Sequence, residues 1–549
     1  MKRFLLITII SLLAKSNSYS QCTETDVTRV LLVGDSWANF MGIDQAVNIN
    51  LEKWGHSNYK FLTNAILAEN GTETTDFLQP AKLNEIAAQL SANPSIKIVH
   101  LSIGGNDVLN EWERTWSTAK TDSLLDSVYS RLYTLIDFIK VSSPGVKVLW
   151  SGYTYPNFGE IIEDLAPFQS SHPFYPTWEG MDFPDFSEIN GLLNYFSDTI
   201  AALAALDPQV EFVKATGLMQ YTFGQPTNLG VPPGGNYPAM TAPLPLGYPD
   251  YPSPKNSMRT YIIFRDCFHL APQGYIDLLD YHTRKFYQKA LMDDQYLISE
   301  GGTRDGSVSS AGSINSSMQL GTAGSEEFSI VLSFNTTTMP DTGVSKASIF
   351  LRRQNLTGNN PITGTLQVKI MSGNFGTTVD VESGDYAASG NAMDTPCQFG
   401  STTDDGHWVR LELPASLLPY ITHNNITQFI ISAPALSGGL VTFSSDFDSD
   451  PELAPVLNLT YGPSSVSVAE NLSQSQQIHV YPNPTFGNLV IDAGTLKIQE
   501  VKIINLQGKE LLATRPHKNL IDLTQFPSGV YFLKFISDSQ IITKKVIKN

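Results

Sequence analysis

Four apolar runs, each followed by a helical stretch, constrain this chain most. They are Arg29–Gly34 (RVLLVG), Lys97–Gly104 (KIVHLSIG), Val146–Ser151 (VKVLWS) and Val210–Ala215 (VEFVKA). None alternates apolar with polar residues, so both faces of each strand must be covered, as in a parallel sheet. Helical spacing recurs over Lys82–Leu90, Leu124–Lys140, Glu188–Leu206 and Gln273–Leu291. The rhythm predicts a doubly wound, three-layer α/β/α domain, with its ligand site at the carboxyl ends of the strands. Two segments interrupt it, Tyr153–Asp185 and Tyr221–Arg259, both rich in Pro, Gly and Tyr. They are too long for ordinary connections. Either they wall a substrate cleft or they decorate the surface, and the residues alone leave both readings open.

A chain of 549 residues exceeds one core, so several domains are expected. After Glu300 the pattern changes. Gly301–Asn315 is rich in Gly and Ser, and strand-like runs then recur at Phe328–Phe334, Ala347–Arg352, Leu366–Met371, Trp408–Leu413, Thr427–Ser432 and Val456–Tyr461. An antiparallel β-sandwich is the expected solution. Pro463–Gln477 is a polar, Ser-rich linker. Beyond it Ile478–Tyr481, Leu489–Ala493, Val501–Asn505, Val530–Phe535 and Ile541–Ile547 read as strands of a small all-β unit. The expected division is a leader at 1–20, an α/β domain at 21–300, a β-sandwich at 301–462, a linker at 463–477 and a tail domain at 478–549.

The leader reads as a signal peptide. Lys2 and Arg3 precede an apolar run from Phe4 to Ala14, and Ser18 and Ser20 supply small residues before Gln21. The run is too short to span a bilayer and no other long apolar stretch exists, so the mature chain is expected to hold no integral membrane segment. The net charge of −18 argues against nucleic acid as a partner. The tail domain is locally basic, with nine Lys/Arg against five Asp/Glu, which points to a separate partner for that end. Three cysteines, Cys22, Cys267 and Cys397, give no framework; a Cys22–Cys267 pair is one arrangement the count allows. No phosphate loop, dinucleotide fingerprint or zinc spacing occurs, and no cofactor or metal is expected. Asp446–Asp450 (DFDSD) lacks the Gly and distal Glu of a helix-loop-helix calcium loop and reads as a solvated acidic turn.

Four short strings carry chemistry: Gly34-Asp35-Ser36, Asn70-Gly71, Gly104-Gly105-Asn106-Asp107 and Asp266-Cys267-Phe268-His269. Each alone has an ordinary structural explanation as a helix cap or a turn. In order they supply a nucleophile (Ser36), a base (His269) with its orienting carboxylate (Asp266), and oxyanion donors from the Ser36 and Gly71 backbone and the Asn106 side chain. Asp266 and His269 on one tight loop would set the carboxylate against imidazole Nδ1 and leave Nε2 for Ser36. Asp35 and Asp107 are assigned to capping and loop hydrogen bonds.

The Gly-x-Ser-x-Gly elbow of α/β-hydrolases is absent. The four strings instead resemble, in order, the blocks of the SGNH (GDSL-like) hydrolases, over about residues 28–292. The usual Leu after the serine is Trp37 here, and the second block is a bare Asn-Gly. The resemblance implies an esterase acting through Ser36, Asp266 and His269, with Ser36, Gly71 and Asn106 as its oxyanion hole. The middle region resembles β-sandwich modules of the DNRLRE type, through Asp305–Val308, Phe328–Phe334, Ala347–Leu351 and Leu457–Tyr461; this implies a surface or carbohydrate-contacting accessory role. The tail resembles the sorting domain of the type IX secretion system, through Val480–Pro484 with Gly487, Ile504–Gly508, Pro527–Tyr531 and Lys544–Val546. That implies the type IX machinery as a partner and a secreted or cell-surface location.

The resulting expectation is a secreted serine esterase hydrolysing acetyl or short acyl esters on polysaccharide through an acyl-enzyme. Three alternatives stand beside it: a non-catalytic surface carbohydrate-binding protein, an esterase or lipase acting on lipid or aryl esters, and an acyl transferase using the same residues.

Overall fold

The computed structural model describes residues 25–224, 247–261, 263–363, 365–433, 438–445 and 451–462, and, within 478–548, all but 482, 484, 494–495, 506–508, 516–519 and 538–540. The expected leader, Cys22, the linker at 463–477, the acidic turn at 446–450 and most of the second long segment lie outside the described residues. The chain divides into two compact units, up to Pro463 and from Ser464 onward.

The first unit begins with five parallel strands: β1 (Val27–Gly34), β2 (Tyr59–Leu62), β3 (Ile98–Ser102), β4 (Lys147–Ser151) and β5 (Val210–Val213). Their order is β2-β1-β3-β4-β5, every neighbouring pair parallel. Every residue of β3 is buried, as a strand covered on both faces requires. Helices Ser36–Ile43, Ala46–Lys53 and Pro272–His282 pack on one another. Helices Pro80–Ala92, Thr118–Ser142 and Phe186–Ala204 form the other layer, where Tyr129 stacks on Phe196 with ring centroids 5.4 Å apart. This is a doubly wound sheet, and its order reverses between β1 and β3. Ligand sites sit at such a reversal, outside the strands' carboxyl ends.

The junction after β1 is tight. A Cβ on Gly34 would lie 1.8 Å from the Ser102 carbonyl oxygen of β3, so only glycine lets the two strands pair there. Gly34→Ala is therefore expected to lower the urea midpoint, with a cost of about 1–3 kcal/mol or more, and to displace the residues that follow.

Residues 295–461 are β-rich and antiparallel. The long strand Val344–Gly358 spans two sheets. Its first half pairs with Trp408–Glu412 and Val456–Tyr461, its second half with Gly439–Phe443, and the register shifts between Arg353 and Asn355. Both sheets contribute to one core, with Ile349, Leu411 and Leu459 from one and Ile330, Phe429 and Val441 from the other. Gln295–Ile298, on the α/β side of the expected boundary at 300, pairs with Val456–Leu459 as a strand of this β region.

The β region and the α/β region share an interface. Trp54 stacks on Trp408 with centroids 5.3 Å apart, and its Nε1 donates to Asp280 at 2.7 Å. Lys97, just before β3, donates to Asp293 at 2.8 Å, and Asp293 also accepts from Asn458 and Thr460. That ion pair lies at the amino end of β3, opposite the end where ligands bind.

The second unit is all-β. His479–Tyr481, Asn488–Asp492 and Leu520–Asp522 form one antiparallel sheet; Ile498–Asn505, Glu510–Thr514, Gly529–Ser537 and Ile541–Lys548 form another. Leu489, Ile491, Val501, Ile503, Leu533 and Phe535 share its core.

Candidate active site

Ser36 opens the helix that follows β1, and Asp35 is its N-cap, accepting from the Trp37 N–H at 2.9 Å. The serine thus sits at the sheet's carboxyl edge and at a helix start, where backbone N–H groups favour negative charge. Its Oγ lies 2.6 Å from Nε2 of His269, 233 positions away. His269 Nδ1 lies 2.8 Å from Asp266 Oδ2, and Asp266 Oδ1 accepts from the backbone N–H of Phe268 at 2.9 Å and of His269 at 2.8 Å. All three side chains are nearly or wholly buried. Phe40 meets the His269 ring edge-on with centroids 4.9 Å apart, and Phe268 lies against it at 4.4 Å.

The Asp266–His269 stretch differs from the tight loop expected. It belongs to a β-hairpin of Met258–Tyr261 with Phe264–Leu270. Between the paired positions Met258–Leu270 and Thr260–Arg265, Arg259 alone stands opposite the four residues Asp266–His269. The second strand bulges, and such bulges re-aim side chains beside functional sites. The backbone N–H groups released from pairing at Phe268 and His269 are those the Asp266 carboxylate accepts.

Ser36, Gly71, Asn106 and His269 line one cleft. Gly71 has φ 77° and nothing within 4 Å of where a Cβ would stand; the left-handed conformation, not a protein neighbour, requires glycine there. Asn106 follows Gly104 and Gly105 at the start of the helix after β3. One Nδ2 hydrogen goes to the Thr72 carbonyl at 2.9 Å, which fixes the amide and leaves the second hydrogen for a ligand.

Three further contacts tie these loops together; the sequence predicts the loop hydrogen bonding of Asp107 but not the contacts of Tyr153 and Asn39. Tyr153 donates to Asp35 Oδ2 at 2.6 Å and accepts from the Gly105 N–H at 3.0 Å. It joins the residue before Ser36 to the residue before Asn106, which makes it a positioning residue. Asp107 accepts from the Thr74 N–H at 2.9 Å and its hydroxyl at 2.5 Å, anchoring the loop that carries Gly71. Asn39 donates to Asn70 at 2.8 Å. Tyr153 stands two residues past the end of β4, so the rule that flagged Ser36 and Asn106, position just beyond a strand's carboxyl end, also reaches it.

Burial pushes the Asp35 carboxyl up to about 6 from an ordinary 3.8, against the lowering pull of its Tyr153 and Trp37 hydrogen bonds. A carboxyl whose folded pKa is raised stabilises fully below pH 3.8, and that contribution is lost as pH rises through 6. The shift corresponds to roughly 3 kcal/mol. Asp35→Asn cannot titrate, so the stability of the natural chain relative to this variant is expected to fall by that order between pH 4 and pH 7. Urea unfolding of both proteins at the two pH values measures it; a pH-independent difference contradicts it.

Cys267 lies inside the bulge, fully buried and free. The Cys22–Cys267 pairing is therefore not formed. Burial raises the thiol pKa, which leaves it unreactive.

The chain matches the GDSL-like lipase/acylhydrolase family over residues 11–281. It carries a GDSL-like domain. A secretion-system C-terminal sorting domain, of the type IX kind, matches over 479–549, and the β-rich region lies between the two. The sorting domain indicates secretion or display at the cell surface. No helix among the described residues is long and apolar enough to cross a membrane. A search of curated proteins returned no match. Among solved structures, the GDSL-like domain is similar to a family 3 carbohydrate esterase of Clostridium thermocellum, at 16% identity over 48% of this chain and 98% of that one, with a TM-score of 0.26. It is also similar to a GDSL-like lipase of Bacteroides thetaiotaomicron VPI-5482, at 14% identity over 48% and 88%, TM-score 0.26. A phospholipase A1 from Streptomyces albidoflavus NA297 is similar at 16% identity over 47% and 99%, TM-score 0.27.

Proposed function

We propose that the protein is an exported serine carboxylic ester hydrolase working through an acyl-enzyme, with Ser36, His269 and Asp266 as its catalytic residues. The observation that carries this is the 2.6 Å contact between Ser36 Oγ and His269 Nε2, backed by the Asp266 carboxylate on Nδ1. His269 Nε2 takes the hydroxyl proton as Ser36 Oγ bonds to the ester carbonyl carbon. The oxyanion is received by the N–H groups of Ser36 and Gly71 and the free hydrogen of the Asn106 amide. The imidazolium then protonates the alcohol oxygen as the carbon–oxygen bond breaks. Water attacks the acyl-serine, His269 takes its proton, and return of that proton to Ser36 frees the carboxylic acid.

The cleft beside His269 is lined by Asn70, Asn110 and Thr177 with the aromatic rings of Phe174 and Tyr261. Amides and a hydroxyl among aromatic faces suit a polar alcohol, which favours an acylated glycan as the substrate. The division into an α/β domain at 21–300, a β-sandwich at 301–462 and a tail at 478–549, with a cleaved leader at 1–20, is part of this proposal. The type IX machinery is the export partner.

The test is covalent capture. A fluorophosphonate is expected to add its mass to the peptide carrying Ser36 in the full chain, and not in the His269→Ala variant. Absence of labelling, or labelling elsewhere, would leave a non-catalytic surface protein.

A further inference from the structure

Two cavities meet at Ser36 and Asn106. One is the cleft beside His269. The other is lined by Trp37 and Trp112 and floored by Met181, Ile189, Leu192 and Phe196. Ile189, Leu192 and Phe196 lie on one face of the helix Phe186–Ala204 at spacings of three and four. Met181 belongs to the long segment between β4 and β5, so that segment walls the site and is not merely a surface decoration. The lining of this second cavity is mostly apolar; Tyr153 is engaged by Asp35 and the Gly105 N–H, while the Thr154 hydroxyl has no hydrogen-bond partner among the described residues.

The two branches divide an ester between them. The leaving oxygen must collect its proton from His269, so the alcohol belongs in the branch that His269 lines. The acyl chain, bonded to the same carbon, is left the apolar branch. That cavity measures about 80 Å³, and one water needs about 10–15 Å³ on this scale. The methyl of an acetyl group would leave most of the apolar wall without a partner.

Resting on the acyl-enzyme reading above, we propose that the substrate's acyl group is an apolar chain of roughly four to eight carbons, held between Trp37 and Trp112, with Leu192 as a specificity-determining residue for chain length.

The experiment compares 4-nitrophenyl hexanoate with 4-nitrophenyl acetate on the full chain. The kcat/KM ratio is expected to favour hexanoate by about tenfold or more, and Leu192→Trp, which fills the cavity, is expected to bring it to one or below. Because both esters use the same machinery, the ratio is unaffected by a general loss of activity. Ile189→Phe serves if Leu192→Trp does not fold. A preference for acetate, or a ratio that neither variant moves, overturns the proposal. Binding is read separately on Ser36→Ala through the fluorescence of Trp37 and Trp112, with ethyl hexanoate and ethyl acetate as ligands. If the natural chain hydrolyses neither ester and hexanoate still binds about tenfold tighter, the cavity assignment stands and the acyl-enzyme reading falls. Equal binding of the two overturns the cavity assignment itself.

Discussion

Ser36→Ala is expected to lower kcat for ester hydrolysis by on the order of 10⁴–10⁶-fold, His269→Ala by a comparable factor, and the double variant by no more than either alone. The reason is that the two side chains act as one unit. Without the imidazole the hydroxyl keeps its proton; without the hydroxyl the imidazole has nothing to activate. Their 2.6 Å contact joins groups that are each nearly buried, so bulk water does not easily replace either partner. Initial rates on 4-nitrophenyl butyrate measure the cycle. Losses that multiply in the double variant would show that the two groups act separately, and a fully active Ser36→Ala would remove the serine from the chemistry.

Asp266→Asn is expected to cost about 10⁴-fold in kcat, with KM little changed. The size follows from how the carboxylate is divided. Oδ1 accepts two backbone N–H groups, of Phe268 and His269, while Oδ2 faces His269 Nδ1. An asparagine must keep its oxygen on the two N–H donors, because its NH₂ cannot accept them. Its NH₂ is then left against Nδ1 and drives the imidazole proton onto Nε2. That tautomer cannot accept a proton from Ser36. Steady-state kinetics of the variant measures this, and the fold itself is expected to survive because the two backbone bonds are kept. A variant within tenfold of the natural chain would show that Asp266 does not set the tautomer.

The parallel sheet was legible because strands buried on both faces have no alternation to confuse with anything else: β1, β3, β4 and β5 all stand where an apolar run stands. The edge strand β2 escaped. It is four residues long and only partly buried, so it carries no such run. In the tail, Glu510–Thr514 and Leu520–Asp522 escaped for the same reason. The predicted helix Gln273–Leu291 is interrupted by a π-helical turn at Thr283–Tyr287, where the apolar spacing continues although the backbone pattern changes. At the site, Ser36, Gly71, Asn106 and His269 come to one cleft because each follows or flanks an element end whose glycine, asparagine or proline punctuation is visible locally. The bulge at Asp266–His269 was not legible, because it rests on a strand register that leaves no local pattern. Tyr153 stands at a legible position just past β4, but its role depends on Asp35, more than a hundred residues away.

The indole pair Trp54–Trp408 bears on how this molecule can be taken apart. Trp54 belongs to the α/β layer and Trp408 to the β region, and the Lys97–Asp293 pair is tied to the same β region through Asn458 and Thr460. Cutting the chain between the two would wet a stacked aromatic seam and leave Lys97 with a carboxylate stripped of its other donors. The β region is thus less a detachable tether than the back half of the hydrolase's own foundation, and the smallest piece that keeps the seam dry runs to about residue 462.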